Sequence, residues 1–269
     1  MDEVKPDVAK EMQANIGTGT HLVASFDLTG SMAPCIAQVR QKLRDLVEMM
    51  TTDIPGLKIA LIAHGDYCDG DKCMNYLDFT DNLEQIMQFI NNTPSAGGGD
   101  APECYEYALQ VAKNLSWTKE GGSVILIGDD EPHPVGYPTK GDVKNEIDWR
   151  QEVKEMAERN IKVFPMQCLY NQHRTDANNF WEEISQISGT PLLMLESFGD
   201  SANALEAVAY AASGGVAMDF YNAKVLRETD AGVRSFASNN MTDIRSKLSA
   251  YAKSPEPKVE LETESKAFE

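Results

Sequence analysis

The 269-residue chain predicts an α/β fold: a doubly wound, mostly parallel six-stranded sheet with helices on both faces and one antiparallel edge strand. Three observations carry this. Short apolar runs recur along the chain, several of them continuous, as strands buried on both faces require. Between them lie apolar stripes at steps of three and four, the signature of helices packed by one face. The two patterns alternate from about residue 20 to residue 212, which implies right-handed crossovers and layered packing.

Taken in order, the strand candidates are 20–27, 57–64, 74–79, 122–128, 161–168 and 191–195. The short gap between 57–64 and 74–79 fits a hairpin, which makes 74–79 the antiparallel edge. Ile36, Val39, Leu43, Leu46 and Met50 form the first helical stripe, and Tyr105, Ala108, Leu109, Ala112 and Leu115 a second. Phe180, Ile184 and Ile187 form a third, and Leu205, Val208 and Ala212 a fourth. Residues 1–19 read as a polar N-terminal extension, 20–212 as the domain and 213–253 as a partly helical C-terminal extension. In that extension Ile244, Leu248 and Tyr251 share one face of a helix near 241–251. Residues 254–269 are acidic, lack apolar periodicity and predict a disordered tail.

The formal net charge of −18 argues against nucleic acid or an anionic membrane as partner. No stretch approaches the ~20 apolar residues of a membrane helix, so no membrane insertion is expected. The acidic start, Met1-Asp-Glu-Val-Lys-Pro6, has no apolar h-region and predicts no secretory signal. Five cysteines, an odd number in a chain this long, read as reduced thiols in a cytoplasmic protein. The segment His64-Gly-Asp-Tyr-Cys68-Asp-Gly-Asp-Lys-Cys73 has zinc-ligand types, but no second paired Cys/His cluster accompanies it. It lacks EF-hand spacing as well, and reads as a solvated acidic turn.

The chemistry concentrates on three loops. The first strand ends on Asp27, followed at two-residue steps by Thr29 and Ser31. Asp100 closes the glycine run 97–99, and Asp129 follows the 122–128 strand. In an open α/β sheet, ligands bind outside the carboxyl ends of strands where strand order reverses. If the first strand and 122–128 are neighbours there, the three loops converge. Their oxygen donors suit a hard divalent cation. The alternative for each residue alone is a helix cap or a turn. Three unrelated caps have no reason to fall at one sheet edge.

The order Asp27-x-Thr29-x-Ser31, then Gly97-Gly-Gly-Asp100-x-Pro102-Glu103, then Asp129-x-x-Pro132-His133 resembles the metal-ion-dependent adhesion site of a von Willebrand factor type A (vWA) domain. It looks like the intracellular branch of that family, which includes domains attached to alpha-kinases. The stretch Ala63–Gly70 is similar to the loop after the second strand in that branch, and the likeness covers roughly residues 20–212. It implies a Rossmann-like sheet and Mg²⁺, with Mn²⁺ or Ca²⁺ as substitutes, held by Asp27, Thr29, Ser31, Asp100 and Asp129. It further implies a protein partner met at that face, where Met32, Asp130 and His133 are the nearest candidates for contact. Relatives often work beside AAA+ ATPases or in larger assemblies.

One departure stands out. Adhesion-type members carry Thr where this chain has Asp100. Ionised Asp27, Asp100 and Asp129 would together oppose a doubly charged cation with three negative charges, holding it tightly and making it less attractive to a partner's carboxylate. The sequence therefore predicts a binding module and no enzyme. The alternative is an Mg²⁺-dependent phosphatase-like hydrolase with Asp27 as nucleophile and His133 as acid/base. It lacks the second acid of an Asp-x-Asp loop, since position 29 is Thr. Nucleotide binding is weaker still, because no G-x-x-x-x-G-K-[ST] or G-x-G-x-x-G is present.

Overall fold

The computed structural model describes residues 20–94, 96, 97, 99, 101–139, 144–169, 172–196, 198–230 and 238–254. Residues 1–19, the position 100 carboxylate and the 255–269 stretch of the tail lie outside the described residues.

The apolar runs form six strands: β1 (His21–Asp27), β2 (Lys58–His64), β3 (Met74–Thr80), β4 (Gly122–Gly128), β5 (Ile161–Cys168) and β6 (Leu193–Leu195). They make one sheet in the order β3-β2-β1-β4-β5-β6, in which β3 pairs antiparallel with β2 and the other pairings are parallel. The predicted architecture is observed. β1 lies between β2 and β4, so the strand order reverses between β1 and β4, and Asp27 ends the strand on one side of that crevice.

Side chains alternate across the sheet, which divides the core into two layers. Leu22, Ala24 and Phe26 of β1 face one layer with Ile125 and Ile127 of β4 and Phe164 and Met166 of β5. Val23, Val124, Leu126 and Val163 face the other. The first layer is covered by α1 (Ala33–Asp53), α2 (Leu83–Asn92) and α6 (Ser201–Ala212). The second is covered by α3 (Tyr105–Lys113), α4 (Trp149–Glu158) and α5 (Thr175–Ser188). Pro34 opens α1, where its missing N–H leaves no helical bond unmade. Asn82 caps α2 by accepting from the backbone N–H groups of Glu84 and Gln85.

The segment 213–253 contributes two further helices, α7 (Gly215–Asp230) and α8 (Asn239–Lys253). Both pack into the first layer: Met218, Tyr221 and Val225 of α7, and Met241, Ile244 and Leu248 of α8, are buried with α6 and the sheet. Asn240 of α8 reaches the outer edge of β6, donating to the Met194 carbonyl at 2.7 Å while its own oxygen accepts from the Glu196 N–H at 3.3 Å.

Leu248→Ala should therefore destabilise the whole domain by about 2–5 kcal/mol, the range for a fully buried leucine. Urea unfolding gives the number, and a loss under ~0.5 kcal/mol, usual for surface positions, would mean α8 is not part of the core.

Candidate functional site at the carboxyl edge of the sheet

The site is built on the ends of β1 and β4. Asp27 is fully buried. Its Oδ1 accepts from the Thr29 backbone N–H at 2.8 Å and the Thr29 hydroxyl at 2.6 Å, and its Oδ2 accepts from the Tyr105 hydroxyl at 2.6 Å. Ser31, exposed on the turn Gly30–Met32, donates to Asp129 Oδ1 at 3.1 Å. Neither hydroxyl caps a helix: the side chain of Thr29 makes no cap bond to the turn it precedes. Both turn toward the two carboxylates. Four of the five expected cation-binding residues, Asp27, Thr29, Ser31 and Asp129, thus share one hydrogen-bonded set across the crevice. Asp100, the fifth, lies outside the described residues.

Tyr105 ties this set together. While its hydroxyl donates to Asp27, its oxygen accepts from the backbone N–H groups of Asp129 at 3.1 Å and Asp130 at 3.3 Å. It reaches them because position 128 is glycine; a Cβ there would overlap the Tyr105 ring and hydroxyl. The ring sits among His64, Phe180 and Trp181. His64 is buried beside it, and burial pushes its pKa down to about 3, so it stays neutral.

Arg174, at the start of α5, places its guanidinium on Asp130 and 3.8 Å from Asp129 Oδ2. Spacing alone gives no sign of this cation. The residues expected to meet a partner are placed differently from the expectation. Met32 is fully buried and His133 is 1% exposed, so neither side chain presents surface. Asp130 is 8% exposed and paired with Arg174.

Burial dominates the electrostatics. It pushes the carboxyl groups of Asp27 and Asp129 above their ordinary value, with hydrogen bonds from Thr29, Tyr105 and Ser31 working the other way. Glu103 is 3% exposed, and desolvation, with Asp27, Asp66, Asp69 and Asp129 nearby, pushes it up to about 9. Its Oε2 is buried without a hydrogen-bond partner.

A second buried group lies on the same edge. Asp66, Cys104 and His133 bring one potential ligand atom each to within 4.8 Å of one another. Asp66 is 1% exposed, so the segment 64–73, read from sequence as a solvated turn, is partly interior. The glycine loop packs on it: the Gly97 N–H donates to Asp69 Oδ1 at 2.9 Å, and a Cβ on Gly99 would meet Asp66 Oδ2 at 2.8 Å.

No protein family profile matches the chain. A protein of Acanthamoeba polyphaga mimivirus, described as ariadne-like with a RING finger, is 26% identical over 186 residues. That match takes in 65% of this chain and 18% of the viral protein, so the chain spans under a fifth of that relative's length. Among solved structures, the pilus adhesin SpaC of Lactobacillus rhamnosus GG in its open conformation superposes with a TM-score of 0.52 at 14% identity. The superposition covers 76% of this chain and 30% of SpaC. A second form of SpaC gives 0.53 at 14% identity, over 76% of this chain and 31% of SpaC. The fold is vWA-like.

Two outcomes follow. Tyr105→Phe leaves the Asp27 carboxylate and two backbone N–H groups without their shared partner, and should cost about 1–3 kcal/mol in urea unfolding. An unchanged midpoint would mean water replaces the hydroxyl. The second concerns Glu103. A carboxyl whose folded pKa is raised from 4.5 to about 9 costs nothing below pH 4.5, where it is protonated in both states. The cost then grows up to about pH 9, because the unfolded chain ionises first. In metal-free protein, Glu103→Gln should match wild type near pH 4.5 and exceed it at pH 8 by roughly 2 kcal/mol, allowing for relaxation around the group. Parallel pH profiles for the two proteins would remove this account.

Proposed function

We propose that the chain is a divalent-cation-dependent protein-interaction module, with Mg²⁺ held at the β1–β4 crevice and a protein partner met at that face. One observation carries the reading: Thr29 and Ser31, instead of capping the helix they precede, turn their hydroxyls to Asp27 and Asp129 on facing strands. The donors are all oxygen, which suits a hard cation, and Asp100 would add a carboxylate on the loop before α3. Bound Mg²⁺ would supply the positive charge that the buried carboxylates lack. Mn²⁺ or Ca²⁺ would substitute through the same oxygens. The vWA-like fold, shared with a protein named as an adhesin, supports an interaction role.

The partner surface is drawn from residues that are exposed at this edge. Ser31 lies on the loop after β1, Val135 (62% exposed) after β4 and Leu169 (45% exposed) directly after β5. These replace Met32 and His133 in the contact face. A protein partner in the cytoplasm, such as an AAA+ ATPase or a larger assembly, follows from the sequence resemblance. We do not assign catalysis. Position 29 is Thr, so the loop lacks the second acid that an Asp-x-Asp phosphatase-like nucleophile would call for.

Saturating Mg²⁺ at 100 times its Kd should add about 2.7 kcal/mol of stability and raise the melting temperature by several degrees. Asp27→Ala and Asp129→Ala should abolish the response. A wild-type melting curve indifferent to both Mg²⁺ and Mn²⁺ sinks the proposal. Arg174→Gln removes a guanidinium that competes for Asp129, so Mg²⁺ should bind up to about fivefold tighter by calorimetry, equivalent to roughly 1 kcal/mol for a partly exposed pair. Weaker binding in that variant would mean Arg174 helps to shape the site.

A further inference from the structure

The carboxyl edge carries a second donor set that the Mg²⁺ reading does not use. Asp66 comes from the loop after β2, Cys73 from the residue before β3, Cys104 from the N-cap of α3 and His133 from the loop after β4. Asp66, Cys104 and His133 are at most 3% exposed, and their candidate ligand atoms lie mutually within 4.8 Å. The Cys73 thiol joins them through a hydrogen bond with the Cys104 thiol.

The histidine is oriented as a ligand would be. Its Nε2 faces Asp66 Oδ1 at 3.2 Å, while Nδ1 lies 3.8 Å from Glu106 Oε1. Glu106 is fixed in turn: it accepts from the His133 backbone N–H at 3.1 Å and from the Tyr67 hydroxyl at 2.8 Å. A carboxylate behind the ring nitrogen that points away from the metal is the usual support of a ligating imidazole. Two thiols, one imidazole and one carboxylate form a donor set softer than the all-oxygen crevice, and thiolate selects zinc over magnesium.

We propose that Asp66, Cys73, Cys104 and His133 form a closed, structural zinc site that clamps the loop after β2, the start of β3, the N-terminus of α3 and the loop after β4. With zinc–ligand lengths of about 2.0–2.3 Å, tetrahedral donors stand roughly 3.3–3.8 Å apart. The donors of Asp66, Cys104 and His133, mutually within 4.8 Å, reach that spacing by closing up to about 1.5 Å, and the Cys73 thiol swings in from beside Cys104 to complete the set. All four positions are filled by protein, as in structural sites. Cys68 also reaches Asp66 with its thiol, but it is exposed, and the half-buried Cys73 beside Cys104 is assigned as the fourth ligand in its place. The clamp acts one residue before Tyr105, and it is independent of whether the β1–β4 crevice binds Mg²⁺.

The test is titration of the reduced full-length chain with Co²⁺, followed by Zn²⁺. The thiolate-to-metal charge-transfer band should saturate at one cobalt per chain, whatever further cobalt the all-oxygen crevice takes up without such a band, and one equivalent of zinc should erase the band while millimolar Mg²⁺ does not. Cys104→Ser and Cys73→Ser should each lose at least half of the band. Asp27→Ala and Cys68→Ser should keep it, which separates this site from the crevice and from the exposed thiol. The wild-type titration needs no variant to fold. Absence of a charge-transfer band in reduced wild type would overturn the proposal, as would an undiminished band in Cys104→Ser. A band lost in Cys68→Ser and kept in Cys73→Ser would overturn the assigned fourth ligand.

Discussion

Charge crowding beneath the sheet's carboxyl edge is the constraint on which the rest of this structure depends. Asp27, Asp66, Glu103, Glu106 and Asp129 are all at most 3% exposed, and they converge from strand ends and the first turn of α3. An isolated buried carboxylate is costly unless donors or cations surround it. The fold meets that cost with hydroxyls and backbone N–H groups: Thr29 and Tyr105 on Asp27, Ser31 on Asp129, and Tyr67 and the His133 N–H on Glu106. Arg174 adds a positive charge at Asp129 and Asp130. Where the donors run out, at Glu103, the group is held protonated up to about pH 9. The arrangement is thus short of positive charge by construction, and both proposed cations would sit among these carboxylates, one with Asp27 and Asp129 and the other with Asp66.

Much of the frame was legible in the sequence because its signals are local. Continuous apolar runs marked the strands, and the short 64–74 gap marked the antiparallel edge, which pairs as expected with β2. The switch-point argument took β1 beside β4 as its condition, and the sheet order, which meets it, brings Asp27 and Asp129 to one crevice. Three helices were not placed by the sequence: α2, α4 and α7, the last lying in a stretch read only as partly helical. α2 and α4 are ten residues each, and their buried residues (Ile86 and Ile90; Trp149, Val153 and Met156) give only two or three points of periodicity. The register of a short polar helix is hard to separate from loop by pattern alone.

The site was legible in its carboxylates and less so in what holds them. Tyr105 fell into a helical stripe and read as core, which its ring is. Nothing in spacing tells where a phenolic oxygen ends. Arg174 lies 45 residues from Asp129 and meets it only because β4 and β5 are neighbours. The segment 64–73 was set aside as a metal site for want of a second Cys/His group nearby in sequence. Cys104 and His133 arrive from thirty and sixty residues further on, through tertiary structure. His133 followed a proline in a turn, a context that usually means solvent, yet the aromatic rings of Tyr67 and Tyr137 cover it.

At the far side of the sheet, β6 is three residues long and terminal, with its outer backbone groups facing no further strand among the described residues. Such an edge templates association with any other extended chain. Asn240 occupies it with a single side-chain amide, which engages the carbonyl of Met194 and the N–H two residues on, the same pair that one residue of a parallel neighbour would take. The amide is a counterfeit peptide group, and it ends the ladder. Because it rides on α8, the seal is delivered only when the last helix docks. With α8 undocked, the outer edge of β6 is free to pair with another extended chain, so the docking of this helix also guards the sheet against intermolecular growth.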